Sequence, residues 1–368
     1  MSDFKIEQIF KQGLASQKAG DIQAARRHYA AILNAHPKHP DANHNMGLLC
    51  LAVNKVEASL PYFKTALEAN FSSAQFWYSY IDALAKAGRF ENAKQLLVQA
   101  KAKGAQGKPF QTLKKSIGTL EAEYKFKTGR CKKLFEDGDF NKVAMISGSL
   151  INIYPNLFEP YILCASGHQA LGNNDLALEN YKKALELNPD YAEAYNSMGT
   201  VLQSQGDYDS AIDSYERAIK IKPDYAEAYN NIGVALGCKR EIDRAKSYYL
   251  SAIKVNPAYA EAYYNLGGIF AANDNFEAAI ENYQKAIACN QHYAEAHNNI
   301  GMVLCKKGDY AAGQSSYRSA IKIKPDFSEP KYNLGVELLT QHNFQEGFQF
   351  LEQRWKTRDN IGTYLVTS

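Results

Sequence analysis

The chain has 368 residues, of which 46% are hydrophobic and 22% charged, and its formal net charge is +3. This composition excludes collagen and extensive disorder, and no apolar run reaches the roughly 18 residues that a membrane helix needs. The balanced charge does not indicate a nucleic-acid partner, and the first residues, MSDFKIEQIF, lack the pattern of a secretory signal.

The first predicted elements are three units of 34 residues, which begin at residues 6, 40 and 74. We number the positions within each unit as slots 1 to 34. Slots 4, 7, 8 and 11 are mostly apolar or small, which is the spacing of one helix face, and slots 20, 24 and 27 repeat this pattern in a second helix. Glycine at slot 8 is costly in a helix, so its recurrence with small residues at slot 20 predicts that the two helices approach closely.

A turn between the two helices of each unit is predicted at slot 15. Glycine occupies this slot six times, and asparagine, aspartate or histidine occupies it three times. These residues tolerate the left-handed backbone conformation in which many helices end. Arg240 is the exception at slot 15, so we expect a strained or altered turn there.

Residues 108–123 interrupt the period. An amphipathic helix is predicted from Pro109 towards Leu134, because apolar residues recur at helical spacing at Phe110, Leu113, Ile117, Leu120 and Tyr124. This linking helix is compatible with a hinge or with a rigid elongated helix, and the length of the apolar stripe favours the rigid one. The region is also rich in lysine, which fits a solvated helix face or a docking patch for an acidic partner.

The period resumes at residue 124 and gives seven further units, which end at residue 361. The predicted domains are therefore a three-repeat array over residues 1–107, the linking helix over 108–123, a seven-repeat array over 124–361 and a tail over 362–368. One unit cannot bury its apolar face alone, so stacked units predict an all-α solenoid of about ten helix pairs.

This 34-residue pattern resembles the tetratricopeptide repeat (TPR), and the resemblance covers essentially the whole chain. It is carried by segments such as PDYAEAYNNIG and PAYAEAYYNLG, which recur in register. The resemblance implies an α-α superhelix whose first helices line a concave groove. The function that it implies is a protein–protein interaction scaffold, which binds extended protein or peptide segments in that groove.

Two series of polar residues share a first-helix face that is not the apolar face, and in a TPR stack this face lines the groove. Slot 2 is acidic, and a carboxylate in the first helical turn is explained by the helix dipole with or without a role in recognition. Slot 6 is often asparagine, whose amide suits either a peptide backbone or a hydrogen bond between repeats. The candidate peptide-binding residues are Asn45, Asn231, Asn265, Asn299, Asn333, Glu193, Glu227, Glu261 and Glu295.

The two series also make the chain similar to the TPR superhelix of O-linked N-acetylglucosamine transferases, in which such residues hold acceptor polypeptides. The segment 344–368, with Arg354 and Trp355, resembles the junction in bacterial TPR–glycosyltransferase fusions. The alternative function is therefore the acceptor-recognition region of a glycosyltransferase whose catalytic domain lies beyond residue 368.

Signals for an enzyme are absent from the sequence, which has no G-x-x-x-x-G-K-[ST], G-x-G-x-x-G or H-E-x-x-H motif. Six scattered cysteines without a C-x-x-C pair favour buried, reduced thiols over a disulfide framework or a zinc site. We therefore predict a cytoplasmic protein with no catalytic residues, no metal site and no cofactor.

Overall fold

The computed structural model describes residues 2–358, and side chains as far as residue 352, so the predicted tail over 362–368 lies outside the described residues. This range contains helices and no strand, and the helices follow one another in packed pairs. The predicted all-α solenoid of about ten helix pairs is confirmed. The helices are α1 (Asp3–Lys18), α2 (Ile22–Ala35), α3 (Pro40–Ala52), α4 (Val56–Ala69), α5 (Ala74–Lys86), α6 (Phe90–Ala102), α7 (Lys108–Glu136), α8 (Phe140–Ile153), α9 (Phe158–Ala170), α10 (Asn174–Leu187), α11 (Ala192–Ser204), α12 (Tyr208–Ile221), α13 (Ala226–Cys238), α14 (Ile242–Val255), α15 (Ala260–Ala272), α16 (Phe276–Cys289), α17 (Ala294–Lys306), α18 (Tyr310–Ile323), α19 (Ser328–Thr340) and α20 (Phe344–Arg358).

The turn within each helix pair has the left-handed conformation that slot 15 predicts. The six glycines at this slot have φ angles between 74° and 86°. Arg240 has a φ of 63°, so an arginine takes the same conformation as glycine, and the strained turn expected there is confirmed. In several pairs the slot 16 side chain also caps the second helix: Asp207 accepts from the Ser210 N–H, and Asp309 accepts from the Ala312 N–H.

The two helices of a pair pack through a glycine beneath an aromatic ring. A Cβ atom on the slot 8 glycine would lie only 2.5–2.8 Å from the slot 24 ring in the six pairs in which both residues are present. The rings are buried, and this burial raises the pKa of Tyr215, Tyr249 and Tyr283 to about 12. The close approach predicted from the small residues is therefore confirmed.

The described residues divide into two compact units, of which the first ends at Pro189 and the second begins at Asp190. In the first unit, α7 is one continuous helix of 29 residues. Its N-terminal half packs against α5 and α6 through Phe110 and Ile117, and its C-terminal half packs against α8 and α9. The continuous amphipathic helix is thus confirmed, and the division of the chain into arrays stays a prediction.

The second unit, from α11 to α20, is a stack of five helix pairs. Each second helix packs against the first helix of the next pair. First helices of neighbouring pairs also contact one another, at α11–α13, α13–α15 and α17–α19, and within residues 190–358 no pair of neighbouring second helices reaches the same extent of contact. The first helices therefore lie on the inner side of this stack.

The six cysteines are free thiols, but their burial differs from the prediction. Cys131 and Cys164 are buried, and burial raises the pKa of both thiols. Cys238 and Cys289 are exposed, so the prediction of buried thiols is wrong for these two, which lie at or next to helix ends. Within residues 2–358, no helix is both long and apolar enough to cross a membrane.

Candidate peptide-binding face

The first helices of the second unit present one common surface, which we call the inner face. It consists of the side chains at slots 2, 6, 9 and 13 of α11, α13, α15, α17 and α19. Most of these side chains are half-buried or exposed, whereas slots 3 and 8 of the same helices are buried. The predicted separation of a polar face from an apolar face is therefore present.

The slot 6 asparagines of the inner face link each repeat to the repeat before it. In every case the side-chain Nδ2 donates a hydrogen bond to the slot 5 side chain that lies 35 residues earlier. The bonds run from Asn231 to Asn196 Oδ1 (3.1 Å), from Asn265 to Asn230 Oδ1 (2.8 Å), from Asn299 to Tyr264 Oη (3.1 Å) and from Asn333 to Asn298 Oδ1 (3.1 Å).

The slot 5 partners form contacts between repeats that the sequence analysis did not predict. Asn196, Asn230 and Asn298 are at most 6% exposed, so their amides have little access to water. A buried amide that loses its partner costs free energy, which explains why polar side chains meet polar side chains at this level of the stack. The available signal was the recurrence of asparagine or tyrosine at slot 5, 35 residues before each slot 6 asparagine.

Asn45 lies in the first unit and has a different partner, since its Nδ2 donates to the Asp41 carbonyl within its own helix at 2.8 Å. The link between repeats is made there by other residues. His44 at slot 5 and Ser79 at slot 6 form a buried Nε2–Oγ hydrogen bond of 2.9 Å. The geometry of the slot 5 to slot 6 contact therefore recurs with different side chains.

We expect this link to make the stability of the first unit depend on pH. Burial against Phe63 and Phe76 lowers the pKa of His44, and the Asp41 carboxylate raises it by less. The folded state thus favours neutral imidazole, so stability is fully present above the ordinary histidine pKa of about 6.5 and decreases as the pH falls through it. We expect wild type to lose more stability on acidification than His44→Gln, as measured by urea unfolding across a pH series. Identical pH profiles would contradict this assignment.

The slot 2 glutamates lie in the first turn of their helices, where the helix dipole favours a negative charge. Glu193 and Glu295 pair with lysines of the same repeat, with Nζ–Oε1 distances of 3.2 Å to Lys222 and 3.0 Å to Lys324. Burial raises the pKa of Glu295, but hydrogen bonds from its own backbone N–H and from Lys324 outweigh burial and leave the pKa lowered.

The remaining two candidate glutamates are more exposed. Glu227 accepts a hydrogen bond from Asn196 Nδ2 at 3.0 Å, so slot 2 takes part in the same contact between repeats as slots 5 and 6. Glu261 is exposed and forms no ion pair within residues 2–352. Its carboxylate is therefore the most available of the four for a ligand.

A cavity of about 250 Å³ opens on the inner face between α15 and α17. It exists because slots 9 and 13 of α15 are Gly268 and Ala272, which are smaller than Val234 and Cys238 at the same slots of α13. Met302 forms part of the wall and is 37% exposed. The complete lining is Gly268, Ala271, Ala272, Tyr283, Asn299, Met302, Val303 and Lys306.

The cavity combines apolar walls with three residues that carry polar groups, Tyr283, Asn299 and Lys306. Of the predicted site residues, only Asn299 belongs to the lining. Lys306 forms no ion pair within residues 2–352, so its ammonium group is available to a negative charge. No group of three or more His, Cys, Asp or Glu that could hold a metal occurs in the described part of the chain.

Family models match the chain at seven places. A model described as TPR repeat matches residues 169–206, 201–237 and 267–308, and models described as tetratricopeptide repeat match residues 9–39, 44–108, 226–259 and 294–327. No curated protein matches the chain.

Solved structures of repeat proteins are similar to this chain. The Cut9–Hcn1 hetero-tetramer of the APC/C is 12% identical with a TM-score of 0.54, over 98% of this chain and 94% of that chain. MamA is 27% identical with a TM-score of 0.40, over 46% of this chain and 92% of that chain. YrrB, described as a TPR protein with an unusual peptide-binding site, is 23% identical with a TM-score of 0.39, over 50% of this chain and 95% of that chain. The repeat models, together with the fold shared with Cut9–Hcn1, show that the chain belongs to the tetratricopeptide repeat proteins.

Proposed function

We propose that this TPR protein is an interaction scaffold whose inner face binds an extended segment of a partner polypeptide. The observation that carries the proposal is the cavity between α15 and α17, which joins apolar walls to Asn299 and Lys306. Small-molecule and side-chain sites commonly have this composition, with few polar groups placed on an apolar lining.

The size of the cavity fits one apolar side chain of such a segment. An engineered apolar cavity of about 150 Å³ in another protein accepts benzene, so about 250 Å³ accommodates a leucine, methionine or phenylalanine side chain. Lys306 at the same cavity favours an acidic residue, or a terminal carboxylate, beside that side chain. The ligand class is therefore a peptide with an apolar residue next to a negative charge.

The asparagines contribute to this function through those hydrogen-bonding groups of their amides that the links between repeats do not use. Each amide has two N–H groups and a carbonyl with two lone pairs, and one N–H of Asn231, Asn265 and Asn333 is engaged with the preceding repeat. The carbonyl oxygens can accept from backbone N–H groups of an extended peptide. Glu261, which is exposed, supports the same contact, while Glu193, Glu227 and Glu295 act mainly within the protein.

The experiment fills the cavity. A displayed library of random peptides is selected on the wild-type chain, and the affinity of the selected peptides is then measured for Ala272→Leu. Losing the burial of one apolar side chain costs about 1.5–3 kcal/mol, so we expect affinity to fall by roughly tenfold or more. Ala288→Leu is the matched control, because Ala288 is exposed on α16, the second helix of the same repeat.

Two results contradict the proposal. Failure of the wild-type chain to select any peptide argues against a peptide scaffold, and equal affinities of both variants argue against this cavity. The glycosyltransferase alternative gains no support, because Arg354 and Trp355 lie outside the described side chains. The cytoplasmic location and the lack of catalytic activity stay predictions.

A further inference from the structure

Slot 3 of the first helix is a buried contact between repeats. In the second unit, the slot 3 alanines are at most 1% exposed, and two of them cluster with the slot 27 alanine of the preceding second helix. Ala228 thus packs with Ala218, and Ala296 packs with Ala286. The first unit follows the same rule, since Ala42 packs with Ile32. A second helix normally covers slot 3.

Phe126 occupies slot 3 of the repeat that begins at residue 124, and it is 69% exposed. The reason lies in α7, whose residues before 124 continue the same helix and do not form a separate second helix. The preceding second helix, α6, packs on the N-terminal half of α7 and leaves this position uncovered. The repeat pattern places an aromatic side chain at a helix-binding position that this chain leaves open.

The open face extends along most of α7. Its exposed residues are spaced alternately four and three residues apart, which is the spacing of residues that contact a partner helix. They are Lys115, Thr119, Ala122, Phe126, Gly129 and Lys133. We call this surface the α7 stripe. A Cβ atom on Gly129 would meet nothing within 4 Å, so the backbone is open to close approach beside Phe126.

The charge around the stripe is strongly positive. Residues 108–136 contain eight lysines or arginines against three glutamates. Glu121 and Glu123 are engaged with Lys125, Lys94 and Lys127, whereas Lys115, Arg130 and Lys133 form no ion pair within residues 2–352. An uncovered helix face with unpaired positive charges at its two ends is complementary to a negatively charged helix.

We propose that an acidic amphipathic helix of a partner protein packs on the α7 stripe, in the position that the preceding second helix occupies in the other repeats. Its small or apolar residues contact Phe126, Ala122 and Gly129, and its carboxylates pair with Lys115, Arg130 and Lys133. This site lies in the first unit and is separate from the inner face, so it does not depend on the proposed function.

The test uses a displayed library of helical peptides that are randomised on one face and selected on the wild-type chain. Selected peptides are expected to be acidic and to bind Lys115→Glu/Lys133→Glu roughly tenfold more weakly or worse. Lys114→Glu/Lys132→Glu is the matched control, because it changes the net charge equally and its residues lie about 100° around the same helix. We expect the control to lose less than about twofold in affinity.

Phe126→Ala tests the apolar contact separately and is also expected to weaken binding, while circular dichroism checks that the exposed substitutions leave folding unchanged. Selection of no helix, or equal losses in the two charge variants, would overturn the proposal. Sedimentation could instead show that the chain self-associates and that Phe126→Glu abolishes this association. That result would also overturn the proposal, because the occupant of the α7 stripe would then be a second copy of the chain. Binding of a labelled DNA duplex that only Lys115→Glu/Lys133→Glu abolishes would assign the surface to nucleic acid instead.

Discussion

Gly267→Ala is expected to lower the free energy of unfolding by about 1–3 kcal/mol, although alanine is the better helix former. The added Cβ would lie 2.8 Å from ring atoms of Tyr283, which is only 2% exposed, so the buried ring has to shift to accommodate it. The measurement is urea unfolding followed by circular dichroism.

Gly268→Ala is the matched control, because it is the next residue of the same helix. Its added Cβ would lie 3.8 Å from the Tyr283 hydroxyl, which is ordinary van der Waals contact. Without overpacking, the helix propensity of alanine remains, so this variant should gain up to about 1 kcal/mol. Equal effects of the two substitutions would show that the ring does not set the requirement for glycine.

Replacing Asn231, Asn265, Asn299 and Asn333 together by alanine is expected to destabilise the second unit by about 2–6 kcal/mol, at about 0.5–1.5 kcal/mol for each hydrogen bond. Each substitution removes a bond to the preceding repeat and leaves a slot 5 side chain without its donor. The melting temperature and the affinity for a selected peptide are measured on the same variant.

Asn45→Ala serves as the comparison, since the Asn45 amide binds a carbonyl of its own helix and links no repeats. It should change stability much less than any single member of the series. An unchanged melting temperature in the fourfold variant, together with lost peptide affinity, would mean that these asparagines act only on the ligand. Lost stability with unchanged affinity would mean that they act only between repeats.

The fold could be predicted from the sequence because similar residue types recur at the same slots of the repeats. Glycine at slot 8 and an aromatic residue at slot 24 meet in one helix pair, so their contact depends on residues that lie close together in the chain. Slot 15 is similar, because the left-handed turn is a property of the backbone at one residue. Even Arg240 follows the conformation that its slot requires.

The site was harder to predict because its geometry arises between repeats. Asn231 carries the same amide whether it faces a ligand or Asn196, and only the distance between neighbouring helices decides between them. The cavity beside Met302 depends on two small residues whose effect appears when α15 and α17 are placed side by side. Phe126 fits the apolar pattern of its slot, yet within residues 2–358 no second helix covers it.

The continuity of α7 also affects how the first unit can open. Helix pairs joined by a loop can separate at the energetic cost of one interface, which allows a repeat protein to fray in steps. At α7 the same helix takes part in the contacts on both of its sides, so unfolding its middle disrupts both sets of contacts. We therefore expect amide protons near Glu121 to exchange with solvent more slowly than those at the ends of α7, because opening the helix there disturbs the contacts on both sides.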